Sequence, residues 1–148
     1  MIRDGARRVR DVRERLTREM DVWVASAGDG GVPYLVPLSF FWDGRDVWLV
    51  TRYANPTGRN LAGSGLVRLA LGDTRDVVLI DGEVTVYAQD EVPGDAADGF
   101  REKTGWDARE AGPAYRWFRV RPTDVQAWHE EPELPGRRLM TGGAWVAG

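Results

Sequence analysis

Residues 51–61, Thr51-Arg52-Tyr53-Ala54-Asn55-Pro56-Thr57-Gly58-Arg59-Asn60-Leu61, hold the densest set of side chains suited to a charged ligand. Arginine offers a planar fork of donors that matches phosphate or carboxylate, and backbone N–H groups at a helix start add to it. The residues support two readings. Thr51, Arg52, Thr57, Arg59 and Asn60 can form an anion cradle. Equally, the segment can be a strand-to-helix connection with solvated arginines and Asn55 as the helix cap. Asn55-Pro56-Thr57 is no glycosylation acceptor, because proline occupies the middle position.

Other chemistries find little material in these 148 residues. There is no cysteine, which removes disulfides, thiolate metal sites and thiol nucleophiles. His129 is the single histidine, so a mechanism needing two is ruled out and a catalytic triad is disfavoured. Glu130, Glu131 and Glu133 cluster beside it, but one histidine with flexible carboxylates is a poor metal site, and no metal is expected. Gly63-Ser64-Gly65-Leu66-Val67-Arg68 lacks the glycine spacing of a dinucleotide fingerprint. The net charge of −3 and pI of about 5.2 argue against a nucleic-acid partner. Lys103 is the only lysine among 20 basic residues, a bias that a GC-rich genome explains. No run approaches the length of a membrane span, and the charged N-terminus shows no apolar signal core, so a cytoplasmic protein without membrane contact is expected.

The elements that must position these residues follow from periodicity. Val9, Val12, Leu16 and Met20 stand near helical spacing, which predicts an amphipathic helix over residues 6–20 with a solvated charged face. The period then becomes two. Strands are expected over Asp21–Ala27, Val32–Trp42, Asp46–Arg52, Leu66–Gly72, Asp76–Gln89 (bending at Gly82), Tyr115–Pro122 and Asp124–Glu130. Pro33 and Pro37 cannot donate to a ladder, so part of the second strand must be an edge or a bulge. A short helix is expected over residues 58–62, and a longer one over residues 93–105 with Gly105 as its stop. The expected organisation is a single domain over residues 1–148: the N-terminal helix, a mainly β barrel or sandwich over about 21–130, and a loosely wrapping tail over 131–148.

The ordered set "DVWVASAGDGGVPYLVPLSFFWDGRDVWLVTR", "RNL", "VRLALG", "VVLIDGEVTV", "FREKTGW" and "FRVRPTDVQAW" resembles the pyridoxamine 5'-phosphate oxidase-like family, in particular its flavin and deazaflavin oxidoreductase branch. The resemblance runs from about residue 6 to residue 130. It implies a six-stranded antiparallel Greek-key split barrel of the FMN-binding type. It also implies a homodimer with cofactor sites at the subunit interface, and FMN or the deazaflavin coenzyme F-420 as cofactor. Seven tryptophans suit such an interface, and suit core packing equally.

Carried over residue by residue, the resemblance places the phosphate of the cofactor at Thr51, Arg52, Thr57, Arg59 and Asn60. Thr57 stands where the family usually has a lysine, so Arg52 or Arg59 must compensate. The strand containing Val36, Pro37, Leu38 and Ser39 would lie along the ring; an ordinary strand with a proline bulge is the alternative. Trp128 would cover the ring from the partner subunit, or be core. Trp106 would line a substrate pocket, or staple its helix. The implied activity is hydride transfer between the cofactor and a small organic substrate, with no dedicated catalytic residue. A non-catalytic flavin, deazaflavin or haem carrier on the same fold is the alternative, with His129 as the candidate haem ligand. A barrel that binds no cofactor is the third possibility.

Overall fold

Alternation of apolar and polar residues builds the sheet. The computed structural model describes residues 1–146 of the protein. In strand β1 (Asp21–Ala27), Val22, Val24 and Ser26 turn inward while Trp23, Ala25 and Ala27 face out. Strands β2 (Pro33–Trp42), β4 (Leu66–Ala70), β5 (Asp76–Tyr87) and β6 (Tyr115–His129) also alternate their side chains between the two faces, whereas β3 (Val47–Arg52) is buried on both faces from Val47 to Thr51. Their order is β3-β2-β1-β4-β5-β6, antiparallel throughout, and β3 returns to pair with β6. The result is a closed six-stranded antiparallel barrel, so the fold is mainly β. Beyond β6 the sheet gains β7 (Arg138–Thr141) and β8 (Ala144–Trp145). Helices α1 (Gly5–Arg18), α2 (Pro56–Ser64) and α3 (Gly94–Thr104) pack around it.

Two apolar clusters form. The barrel interior holds Phe40, Leu49, Leu69, Ile80 and Phe118, with Val9, Val12 and Leu16 of α1 packed on it. A second cluster lies outside the barrel, where Ala96, Ala97 and Phe100 of α3 cover Trp48, Val50 and Trp117. Gly99 lets α3 approach: a Cβ there would lie 2.3 Å from the Phe41 ring.

The sheet bends where β5 crosses β6. Asp81 faces Asp124 and Gly82 faces Pro122, so Thr123 is an extra residue, a β-bulge. A Cβ on Gly82 would lie 2.5 Å from Val120 and 2.8 Å from the Arg121 carbonyl, so only glycine permits this crossing. The bulge corrects one expectation: residues 115–129 form one strand rather than two, because Pro122 sits where a ladder bond is already lost.

Three further expectations are corrected. Met20 is exposed, since α1 ends at Arg18 and Glu19 turns extended (φ −74°, ψ 145°), taking Met20 out of the helical stripe. Arg8 and Arg15 of α1 are buried rather than solvated: their guanidinium groups donate to the carbonyls of Ala127, Glu133 and Pro135 and to that of Asp76. The tail does not wrap loosely up to residue 146. Leu139 and Met140 are buried in β7, Gly142 and Gly143 (φ 58° and 82°) turn the chain into β8, and Glu133 is buried at 1% exposure. The last two residues of the expected tail, 147–148, lie outside the described residues.

Candidate functional site

β2 and β3 pair only over Phe40–Trp42 and Val47–Leu49. Past that point the strands part. Residues 33–39 keep β1 as their only neighbour, and residues 50–52 keep β6. Between the two arms opens a cleft of about 420 Å³, walled on one side by α3 and the segment that follows it. Pro37, Leu38 and Ser39 line one arm, Val50, Thr51, Arg52 and Asn55 the other, and Phe100, Trp106 and Tyr115 the wall. The volume is in the range of small-molecule sites.

The backbone of β2 explains the prolines. The Phe40 N–H donates to the Met20 carbonyl at 3.1 Å, so even-numbered residues of β2 turn their backbone groups to β1. Odd-numbered residues then turn theirs to the opening. Pro33 and Pro37 are odd-numbered, so their missing N–H groups subtract nothing from the β1 ladder. No bulge is needed, and the register with β1 runs unbroken from Pro33 to Ser39. Toward the cleft, Ser39 presents an N–H and Pro37 a carbonyl, whereas the Ser39 carbonyl is taken by the first ladder bond between β2 and β3. The Ser39 hydroxyl is taken up by Asp21, to which it donates at 3.0 Å.

Charge enters from the other arm. Arg52 is exposed, its guanidinium lies 5.0 Å over the Tyr115 ring centroid, and it joins no carboxylate ion pair among the described residues. Asn55 occupies the cap position of α2, yet its side chain donates to the Thr51 hydroxyl (3.3 Å) instead of capping the helix. The first amides of α2 are thus left without the usual side-chain acceptor. Gly58 holds the two pieces together: a Cβ there would lie 2.4 Å from the Arg52 carbonyl and 2.7 Å from that of Tyr53.

Of the ten residues singled out in the sequence, five gather here: Pro37, Leu38, Ser39, Thr51 and Arg52. Val36 packs against the barrel core beside them. Thr57 is buried at 2% exposure. Arg59 and Asn60 face a different groove, of about 250 Å³, shared with Gly28, Asp29, Gly63 and Ser64. There Asn60 donates to the Ser26 hydroxyl at 3.2 Å and lies so close to Gly28 that a Cβ would meet its side-chain oxygen at 2.9 Å. Asn60 thus latches α2 to the end of β1. Trp128 pairs with Val77 at the opposite end of β6 from Tyr115. His129 beside it is 41% exposed, with Nε2 3.1 Å from Asp76.

Sequence reading missed Phe100, whose place in the cleft depends on how α3 docks, and Tyr115, which the pairing of β6 with β3 sets opposite Arg52. Trp106 does line the cleft, 40% exposed and edge-on to both Phe100 and Tyr115. Among the described residues, no group of three histidine, cysteine, aspartate or glutamate side chains could hold a metal ion, and no helix is long and apolar enough to cross a membrane.

The sequence model of pyridoxamine 5'-phosphate oxidase matches residues 9–129. No curated protein sequence matches the chain. Several solved structures are similar. An F-420 reductase aligns with a TM-score of 0.59 at 18% identity, over 76% of this chain and 94% of that one. A putative pyridoxamine 5'-phosphate oxidase from Listeria innocua gives 0.65 at 12% identity, over 82% and 98%. HutZ, the haem storage protein of Vibrio cholerae, gives 0.69 at 12% identity, over 91% and 97%. At these identities the likeness is one of fold.

Proposed function

The chain belongs to the pyridoxamine 5'-phosphate oxidase family, and from that premise we propose that it is an oxidoreductase that holds FMN or the deazaflavin coenzyme F-420 in the cleft between β2 and β3. The observation that carries this reading is the pairing, across one cleft, of an open strand edge with an arginine that has no carboxylate partner among the described residues. The Ser39 N–H and the Pro37 carbonyl suit the polar edge of a flat heterocycle. Arg52, together with the uncapped start of α2, suits a phosphate. Asp21, the one acid in the cleft, is engaged by Ser39.

When bound, the cofactor supplies the hydride chemistry. The chain's residues bind, orient and shield. The β2 edge fixes the plane of the ring, Arg52 and α2 anchor its phosphate arm, and Phe100 and Trp106 keep water from one side. Hydride transfer itself needs no proton donor or acceptor from the chain. The F-420 reductase of the same fold favours the deazaflavin coenzyme, and the family as a whole favours FMN.

A second copy of the chain completes the reading. The outer face of β1, β2 and β4 exposes Trp23, Leu35 and Leu66, a patch suited to a homodimer contact. Trp128 lies outside the cleft of its own chain, so only a partner could bring it near the ring.

A non-catalytic carrier is the second reading, favoured by the shared fold of a haem storage protein. His129, half exposed and distant from the cleft, would be its ligand. Titration of the purified protein with FMN, F-420 and haem, followed in the visible spectrum, tests both readings. Micromolar binding of a flavin or deazaflavin, with turnover of the reduced cofactor by an electron acceptor, supports the enzyme. Haem binding lost in His129→Ala supports the carrier. No binding of any of the three overturns both.

A further inference from the structure

The ends of β3 and β6 form a reciprocal pair. Arg52 faces Tyr115 and Thr51 faces Arg116 in the antiparallel register. The Arg52 guanidinium lies 5.0 Å over the Tyr115 ring, and the Arg116 guanidinium lies 5.3 Å over the Tyr53 ring. Each strand thus lays its arginine on the tyrosine of the other. The two arginines are not equivalent. Arg116 turns its Nη1 back on its own chain, donating to the carbonyls of Pro113 and Tyr115, and it does not line the cleft. Arg52 has no hydrogen-bond acceptor and no ion pair among the described residues, and it lines the cleft.

The Tyr115 ring is itself held in place. Trp106 meets it edge-on at 5.9 Å and 79°, Phe100 meets Trp106 at 6.1 Å and 66°, and Trp117 meets Phe100 at 5.4 Å and 81°. Trp117 is fully buried, and its ring N–H donates to Gln89 at 2.9 Å. An aromatic ladder therefore runs from the second core to the rim of the cleft, and Arg52 lies on its last rung. An exposed arginine ordinarily loses much rotamer freedom when it grips an anion, and that loss opposes binding. A cation–π contact with a fixed ring removes part of the loss in advance, and the guanidinium N–H donors have no acceptor among the described residues.

We infer that Tyr115 is a positioning residue that presents the Arg52 guanidinium to an anionic group in the cleft, and that this pair makes the site select phosphorylated over unphosphorylated forms of the same ring. The inference rests on the cofactor reading above, but adds to it a residue and a selectivity. Lysine at position 52 would not substitute, because its ammonium is a point charge without the planar donor fork that matches a phosphate.

The test compares affinities for FMN and riboflavin, and for F-420 and its phosphate-free deazaflavin core, in the wild type, Arg52→Ala, Tyr115→Leu, Tyr115→Phe and the Arg52→Ala/Tyr115→Leu double variant. The phosphate-free ring reports on the integrity of the cleft, and the ratio reports on the anion grip. Tyr115→Leu is expected to reduce the preference for the phosphorylated form, read as the ratio of the two affinities within the variant, about fivefold to tenfold. Tyr115→Phe is expected to keep the preference, because the ring carries the effect. The double variant is expected to be no worse than Arg52→Ala. An unchanged preference in Tyr115→Leu, or equal loss in Tyr115→Phe, overturns the inference. A wild type that binds both forms of a ring alike overturns it and leaves the cofactor reading standing. A wild type that binds neither form overturns the cofactor reading itself.

Discussion

Gly58 of α2 stands against the carbonyl of Arg52, six residues earlier, so closely that a Cβ would lie 2.4 Å from that oxygen. The obstacle is backbone, so it cannot swing aside. Gly58→Ala must push α2 away from the end of β3 and move Arg52 with it. A destabilisation of about 1–3 kcal/mol, the usual range for overpacking, is expected in thermal or urea melts. Weakened FMN or F-420 binding should accompany it. A fully stable Gly58→Ala protein with wild-type affinity would mean that the contact does not position the cleft.

Arg52 and Arg59 belong to one short segment but open onto different grooves. Arg52→Ala is expected to weaken cofactor binding by about 1.5–3 kcal/mol, the scale of a hydrogen bond to a charged group. Arg59→Ala is expected to change it far less. Isothermal titration of both variants decides the matter. The reverse order would move the phosphate to the groove lined by Asn60 and Ser64.

The separation of these two arginines shows where sequence reading stops. Strand alternation, the glycine at 82 and the order of motifs made the barrel legible, because each is written in local chemistry. Even Pro37 could be read as an edge marker. Which face of α2 carries Arg59 was not legible, since it depends on Gly58 docking against Tyr53 and on Asn60 reaching Ser26 of β1, a contact 34 residues away in sequence. Tyr115 and Phe100 were invisible as cleft residues for a like reason: β6 must pair with β3 to set Tyr115 beside Arg52, and α3 must pack on Trp48 and Trp117 to bring Phe100 to the wall. The tail was misread because its glycines and prolines outweighed Leu139 and Met140, and nothing local reveals that Glu133 has a partner at Arg3.

That partner gives a pH prediction. Glu133 is buried and accepts from the Arg3 guanidinium at 2.7 and 3.1 Å, from the Arg3 N–H at 2.9 Å and from the His129 N–H at 2.8 Å. The Arg3 hydrogen bonds hold its carboxyl well below the ordinary value of 4.5, outweighing the opposing effect of burial. A depressed carboxylate contributes stability that is present above its unfolded pKa and lost as pH falls. Unfolding free energy should therefore drop below about pH 4.5, and the drop should be shallower in Glu133→Gln. At neutral pH that variant leaves Arg3 and Arg8 without their buried anion, and a loss of about 3–5 kcal/mol is expected in urea melts.

Lys103 gives a second prediction, in the alkaline range. Its ammonium lies 3.7 Å over the Phe40 ring and donates to the Leu16 carbonyl at 3.3 Å. Burial lowers its pKa from 10.5 to about 8, against the opposing pull of Glu19 and Asp21. Between these values the unfolded chain holds a proton that the folded chain releases, so stability rises with pH from about 8 to 10.5. As the only lysine, Lys103 gives a single Cε resonance, and its titration by NMR should have a midpoint near 8. A midpoint near 10.5, or a stability rise that persists in Lys103→Met, would contradict this account.

The central claim is that the parting of β2 from β3 makes the cofactor cleft, and amide chemical-shift mapping tests it most directly. On titrating the labelled protein with FMN or F-420, the largest shifts are predicted at Ser39, at residues 50–52 and at Asn55, Thr57 and the Trp106 indole. Shifts confined to Arg59, Asn60, Gly63 and Ser64, or spread along residues 125–129 with the cleft silent, would contradict it.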